Sequence, residues 1–351
     1  MDQADERTNL LAFDVGGANI KAADGLGWIH SERFELWRRP GELSAALARI
    51  VRLRCPDRVV ATMTGEIADC YPSRQAGVER IVAALLSAAE ASGRTVPLGI
   101  YLVDGSIVPT AEAIARPLAA AAANWHAMAR LAAGHAATDR AIVIDAGSTT
   151  TDIVALHAGA AAPLAHDDAG RMAAGELVYT GVERTPLAAI VRSLPRVAAD
   201  RSRRLQPIAS ERFADSRDAW LLLGGIPEEP LSRDTADGGP ATCAAARVRL
   251  ARMLLLDPGD FSAADARAAA EWCAEAQARI VARAVRRVAA AHGWLPTSIV
   301  VSGHGGCLAR RAIARLGWDL TIVALPDKIG ADVSRAAPAH ALAMIARGLL
   351  P

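Results

Sequence analysis

The chain has 351 residues, 22% of them charged, and a formal net charge of +1. That length suits two domains of ordinary size or one large bilobed unit. The near-neutral balance offers no basic field for nucleic acid, so any phosphate recognition has to be local. The charge-free stretch in the Ala-rich run, 117–129, is too short to span a bilayer, and residues 1–9 are polar without the apolar core of a signal peptide. We therefore expect a cytoplasmic protein with a frayed start at 1–9, no membrane partner and no nucleic-acid partner.

Cys55, Cys70, Cys243, Cys273 and Cys307 are an odd, scattered set, which points to reduced thiols rather than a disulfide framework. No Cys/His cluster suggests zinc.

Residues 10–23 read as an apolar strand carrying Asp14 to its C-terminal end, a tight turn through Gly16, Gly17 and Ala18, and a return strand with Asn19 and Lys21. Only two of the 39 basic residues, Lys21 and Lys328, are lysine. A chain that otherwise writes its positive charge as arginine keeps a compact ammonium where a point charge can reach phosphate. A turn then leads to a helix over 42–52 and a β-rich run over 58–63, which delivers Thr64, Glu66 and Asp69 at its end. In open α/β sheets that end of a strand is where ligands bind. Two acids at a solvated helix start explain Glu66 and Asp69 equally well. A helix over 75–91 and a strand over 98–103 come next. The Ala-rich segment 111–133 is helical by propensity, with His126 read as a partly buried, hydrogen-bonded residue.

A second Asp-x-Gly hairpin opens at 142: a buried strand to Asp145, a turn through Gly147, Ser148, Thr149 and Thr150, and a strand entered by Asp152. Such a turn presents backbone N–H groups and hydroxyls to phosphate oxygens, and the carboxylates can hold the accompanying Mg²⁺. Placing Asp145 on Asp14 puts Gly147 on Gly16, Thr149 on Ala18, Thr150 on Asn19 and Asp152 on Lys21. Two copies in one chain point to a duplicated fold. We place an N-terminal lobe at 1–140 and a C-terminal lobe at 141–351, with a closing helix that packs back on the first lobe.

Residues 175–186 read as an extended piece with Tyr179, a turn at Gly181, and a helix start with Thr185 as N-cap and Pro186 following. Arg184 and that helix start could grip a carboxylate or phosphate, although an ordinary capped helix has the same sequence. Between 205 and 240 the pattern loses its period, and Asp234 and Asp237 fall in a Gly/Pro-rich stretch read as a substrate-side loop. A capping box at 262–265 opens a long amphipathic helix ending at Gly293. A buried strand at 299–301 breaks into the loop 302–306, where Gly303 and Gly305 would let a flat ligand or a phosphate lie on the backbone. A strand at 321–324 and a helix at 339–347 close the chain.

This order of parts resembles the actin/Hsp70/sugar-kinase superfamily across nearly the whole chain. The resemblance implies an α/β, ribonuclease-H-like duplicated fold of two lobes around a central cleft, with phosphate loops at Asp14 and Asp145 and an adenosine loop at 302–306. Within it the chain is similar to the hydantoinase/oxoprolinase-related branch. The segments 14–21, 62–66, 145–152, 179–186 and 234–238 resemble a family linked to tetrahydromethanopterin-dependent one-carbon metabolism, which includes the furanylmethanamine synthase of the methanofuran pathway.

That resemblance implies an ether-forming alkyl transfer rather than phosphoryl transfer. A furanylmethyl diphosphate donor loses pyrophosphate, and the phenol oxygen of a γ-glutamyl-tyramine or tyrosine-derived acceptor attacks the freed carbon. Lys21, the hairpin N–H groups and Mg²⁺ held by Asp14 and Asp145 would stabilise the leaving group. Glu66 or Asp152 would take the phenol proton. ATP is not expected to be a cofactor on this reading, and a homo-oligomer is compatible with it. Two alternatives stay open: an ATP-dependent kinase or amide-activating enzyme using the 302–306 loop, and a non-catalytic nucleotide-binding scaffold.

Overall fold

Strand β1, Leu10–Val15, is apolar at five of its six positions and buried at all of them. That pattern marks a strand covered on both faces rather than one with a solvated side. In the computed structural model, which describes residues 9–91, 93, 95–197 and 203–350, this strand sits inside a six-stranded sheet. Its partners are β2, Asn19–Ala23, β3, Ile29–Arg33, β4, Arg58–Met63, β5, Leu98–Tyr101, and β6, Ile107–Pro109, in the order β3-β2-β1-β4-β5-β6. Strand β1 pairs antiparallel with β2 and parallel with β4. The expected frayed start falls on residues 1–8, outside the described residues, and on Asn9.

On one face Leu11, Phe13, Val15, Ala61 and Met63 join a core with Leu47 and Ile50 of helix Leu43–Arg54 and Ile81 and Leu85 of helix Arg74–Glu90. The other face is covered by helix Ala337–Ala346, which packs on β1, β2, β4 and on helix Asn124–Ala133. The described residues divide into two compact units. One comprises 9–141, Val154–Arg171 and 323–350, and the other Ile142–Ile153 and Met172–Ile322.

A second sheet repeats the plan. It is built from β7, Arg140–Ala146, β8, Thr151–His157, β9, Ala160–Ala161, β10, Leu177–Val178, β13, Ser298–Ser302, and β14, Thr321–Ala324, in the order β10-β8-β7-β13-β14 with β9 on β8. A separate hairpin joins β11, Ser193–Val197, to β12, Arg203–Pro207. The order around β7 and β8 matches that around β1 and β2. The turns match too: the Gly16 amide donates to the Asn19 carbonyl at 2.9 Å, and the Gly147 amide to the Thr150 carbonyl at 2.8 Å. The α/β fold is therefore duplicated, as the two Asp-x-Gly hairpins imply.

Helix Ala263–Ala291 opens with the expected capping box between Ser262 and Asp265. Its buried stripe, including Ala266, Ala270, Cys273, Gln277, Val281 and Val288, follows the helical period, and its alanines let neighbouring elements approach closely. All five cysteines are free thiols, as expected. Among the described residues no helix is long and apolar enough to cross a membrane.

Three stretches differ from expectation. The 111–133 segment is three helices, Thr110–Ala115, Pro117–Ala120 and Asn124–Ala133. Pro117 forces Arg116 out of helical backbone (φ −122, ψ 55), and Ala122 adopts a positive φ of 49°. The 205–240 stretch is not wholly irregular: it holds the end of β12 and the capped helix Ser216–Leu222. Thr185 does not cap a helix of any length, because Leu187–Ile190 has four residues and Pro186 occupies the N-cap position.

The 205–240 stretch is held by a buried ion pair. Arg249, fully buried on helix Cys243–Met253, lies 2.7 Å from buried Asp218 and 3.1 Å from Asp237, and Arg252 lies 2.8 Å from Asp237. Removing one partner leaves the other charge buried and unpaired. Arg249→Ala is expected to lower the unfolding free energy by about 3–5 kcal/mol, read from urea denaturation of the intact chain.

Candidate active site

At the end of β1, Asp14 lies in register with Lys21 on β2 and with Thr62 on β4. Adjacent in-register residues share a face of the sheet, so the carboxylate and the Thr62 hydroxyl project to the same side. Both residues are buried, and neither Asp14 Oδ1 nor Thr62 Oγ1 has a hydrogen-bond partner among the described residues. Burial pushes the Asp14 carboxyl above the usual range, opposed by the Lys21 ammonium and by Asn124 at the start of its helix. An acceptor left in that state calls for a cation, a water or a ligand donor.

The turn is set by backbone contacts. The Thr64 amide donates to the Val15 carbonyl at 3.0 Å, and the Ala18 and Gly17 carbonyls accept from Phe34 and Leu36 at 3.0 and 2.9 Å. Thr64 is thereby held beside the Gly16 turn. Glu66, two residues on, is 1% exposed, and neither carboxylate oxygen has a hydrogen-bond partner among the described residues. Burial raises its carboxyl to about 7, with the backbone at Glu66 and Ala122 and the Arg74 charge pulling the other way. Gly77 makes this placement possible: a Cβ there would stand 2.1 Å from the Glu66 carbonyl oxygen. Asp69, by contrast, is exposed. Next to Glu66 the ion pair Arg74–Asp168, at 2.6 Å, bears on its charge; no sequence signal linked these three.

In the other unit, residues 180–185 fold onto the second hairpin. The amides of Val182, Glu183 and Arg184 donate to the Gly147 and Ser148 carbonyls, each at 3.0 Å. Gly181 is required, because a Cβ would stand 2.5 Å from the Gly147 oxygen and from Ser148. The Thr185 hydroxyl serves this loop, lying 3.0 Å from the Gly181 amide and 3.2 Å from Thr180 Oγ1. Gln277 of the long helix reaches in to Thr180 Oγ1 at 2.9 Å and to the Gly181 carbonyl at 2.6 Å.

The Gly-rich loop closes on the same turn. The Gly305 amide donates to the Ala146 carbonyl at 2.9 Å. A Cβ on Gly303 would stand 2.2 Å from that oxygen and 2.7 Å from Asp145 Oδ1. Asp145, Gly147, Ser148, Gly181, Arg184, Gly303 and Gly305 thus gather at one end of the second sheet, with Thr149, Thr150 and Asp152 on the turn and the strand leaving it. Tyr179 is exposed, and Asp237 is engaged by Arg249 and Arg252 rather than gathered there. Sequence reasoning missed Glu183 and Arg217, whose ion pair sits beside this turn; the one signal that could have found Glu183 is its place between Gly181 and Arg184.

The profile of the hydantoinase/oxoprolinase family matches residues 57–347. The chain belongs to the hydantoinase/oxoprolinase family. Across 339 residues it is 28% identical to the (4-{4-[2-(gamma-L-glutamylamino)ethyl]phenoxymethyl}furan-2-yl)methanamine synthase of Methanocaldococcus jannaschii, covering 96% of this chain and 97% of that protein. It is 29% identical over 211 residues to the synthase of the same name from Methanococcus vannielii, covering 60% of this chain and 91% of that protein. Among solved structures it is similar to a ROK family glucokinase from Streptomyces griseus, at 14% identity, covering 97% of this chain and 99% of that one, with a TM-score of 0.46. This hydantoinase/oxoprolinase-family chain is an enzyme, in keeping with its named relatives.

The buried Glu66 carboxyl has a pH signature in stability. Its value is raised from 4.5 to about 7, so the folded state holds the proton more tightly and ionisation costs stability as pH rises through that window. Glu66→Gln is expected to make the protein more stable than the parent above pH 7, by on the order of 3 kcal/mol. The difference should close below the lower value, as read from urea denaturation at pH 8 and pH 4.

Proposed function

We propose that the chain joins an aminomethylfuranylmethyl diphosphate to the phenol oxygen of γ-glutamyl-tyramine, or of a tyrosine-derived acceptor, forming an aryl ether and releasing pyrophosphate. The observation that carries the reading is the end of β1: a buried carboxylate with an unpartnered oxygen, in register with the only lysine of either hairpin. The product named for the Methanocaldococcus jannaschii relative contains the corresponding phenoxymethyl bond to a furan.

Ionisation of the carbon–oxygen bond places negative charge on the departing diphosphate, and the furan ring delocalises the positive charge left on its methylene. Lys21 and the hairpin amides stabilise the departing charge where it develops. Among the described residues no group of three or more His, Cys, Asp or Glu side chains is placed to hold a metal. That fits Mg²⁺ bound through one or two carboxylates together with substrate phosphates rather than in an all-protein cage. Asp14, through an oxygen without a partner among the described residues, is the residue of the first hairpin that would hold it, and Asp145 is its counterpart in the second hairpin; the ion would supply charge neutralisation of the diphosphate. The phenol, with a reference value of about 10, must lose its proton to a base. Glu66 and Asp152 are the carboxylates named for that step from sequence.

Calorimetric titration in the presence of Mg²⁺ tests the reading. Inorganic pyrophosphate is expected to bind and ATP to give no heat. Clear ATP binding with ADP release on turnover would move the assignment to a kinase or activating enzyme. Lys21→Ala is expected to weaken pyrophosphate binding and to slow ether formation by about 10²-fold or more, with circular dichroism unchanged; undiminished turnover would remove Lys21 from the mechanism.

A further inference from the structure

Strand β4 is apolar from Val59 to Met63 except at Thr62. Thr62 is fully buried, and its hydroxyl has no hydrogen-bond partner among the described residues. Valine has the same shape and would strand no polar atom, whereas a buried hydroxyl without a partner costs stability. Packing alone therefore gives no account of a threonine here. Its neighbour across the sheet is in the same state. Asp14 lies in register with Thr62, is buried, and has Oδ1 without a partner among the described residues. Two orphaned oxygens that do not bond each other thus stand on adjacent strands, on one face, where β1 enters the first hairpin.

The polar side chains nearby are engaged otherwise. Tyr101 follows Ile100, the partner of Ala61, and so falls on the same face as Thr62. Its hydroxyl lies 2.7 Å from His126 Nδ1 and 3.3 Å from Arg130. Lys21 is in register with Asp14 on β2, so in the strand order the carboxylate stands between the ammonium and the hydroxyl. All of these groups belong to one compact unit.

What the two oxygens lack is an acceptor of electron pairs. An ionised carboxylate oxygen offers only lone pairs, and a hydroxyl offers two. A hard divalent cation takes both, and an Asp with a Ser or Thr hydroxyl is the protein ligand pair of Mg²⁺ in P-loop nucleotide enzymes. Such a site needs no further acid or histidine, and none is grouped with Asp14 among the described residues. We propose that Thr62 Oγ1 is the second protein ligand, beside Asp14 Oδ1, of the divalent cation at the first hairpin. The inference rests on the part of the proposed reading that puts Mg²⁺ at Asp14, and adds the residue that completes the protein's share of its coordination. Water and substrate phosphate fill the remaining positions. The cation is then held on the β4 side of Asp14 and the ammonium on the β2 side, so the carboxylate separates two like charges.

The experiment uses the full-length protein without substrate, and Mn²⁺ as the probe, since Mn²⁺ accepts the same oxygen ligands as Mg²⁺. Binding is read as loss of the free-ion electron paramagnetic resonance signal up to millimolar Mn²⁺. The parent is expected to bind at a site that Asp14→Asn removes and that Mg²⁺ competes for. Thr62→Val is expected to weaken that site by about 10-fold or more, and Thr62→Ser to keep it. Mg²⁺ should raise the melting temperature of the parent and of Thr62→Ser. Thr62→Val should melt no lower than the parent without metal, because it removes a stranded hydroxyl, and should gain little from Mg²⁺. Unchanged Mn²⁺ affinity in Thr62→Val would overturn the assignment. So would metal-free melting of that variant well below the parent, which would give the hydroxyl a structural role, or the lack of any Mn²⁺ site that responds to Asp14→Asn. Mn²⁺ bound as described, with no affinity for pyrophosphate, would remove the ether-forming reading and leave this inference standing.

Discussion

The second hairpin is organised by backbone meeting backbone. The Ala146, Gly147 and Ser148 carbonyls accept from the amides of Gly305, Val182, Glu183 and Arg184. Two glycines permit that approach, because side chains at positions 181 and 303 would overlap those carbonyls at 2.5 and 2.2 Å. No side-chain adjustment relieves a clash with main chain, so the positions of Glu183, Arg184 and His304 all follow from the absence of a Cβ at two places. The hydroxyls of Thr180, Thr185 and Ser216 and the Gln277 amide then satisfy the polar groups of the tightly folded loop. Gln277 is itself held by Trp220 Nε1 at 2.8 Å, which ties the loop to the long helix.

Much of this was legible in the sequence because it is local. A strand that ends in Asp-x-Gly, a capping box at Ser262 and glycines after a buried apolar run are each written in a few consecutive residues. Strand β4 and strand β14 occupy the expected bounds, and helix Arg74–Glu90 differs from expectation by one residue at each end. The duplication was legible for the same reason, since two short hairpins could be laid over each other by residue type.

What was not legible depends on partners distant in sequence. Glu66 could be read as a solvated acid at a helix start; its burial depends on the close approach of Gly77 of the following helix, and the Ala122 backbone bears on its charge. Asp237 looked like a loop carboxylate free to meet a ligand, and helix Cys243–Met253 and its end supply two arginines that engage it. Thr185 before a proline has the composition of an N-cap, but the hydroxyl finds better partners in the Gly181 loop and the helix stops after one turn. In each instance a short-range rule named the right polar group, and a tertiary contact decided its use.

The two hairpins share a backbone plan but not a charge. The first places an acid and a lysine in register, Asp14 against Lys21, so its strands bring a near-neutral pair to the turn. The second has Asp152 where the first has Lys21, and so carries two acids, Asp145 and Asp152, around an equivalent turn. An approaching diphosphate is attracted by the ammonium of the first turn. At the second it meets two carboxylates, with Arg184 and the Arg217–Glu183 pair beside the same turn. A lysine at one position and a carboxylate at its equivalent thus make two turns of one backbone plan electrostatically unlike.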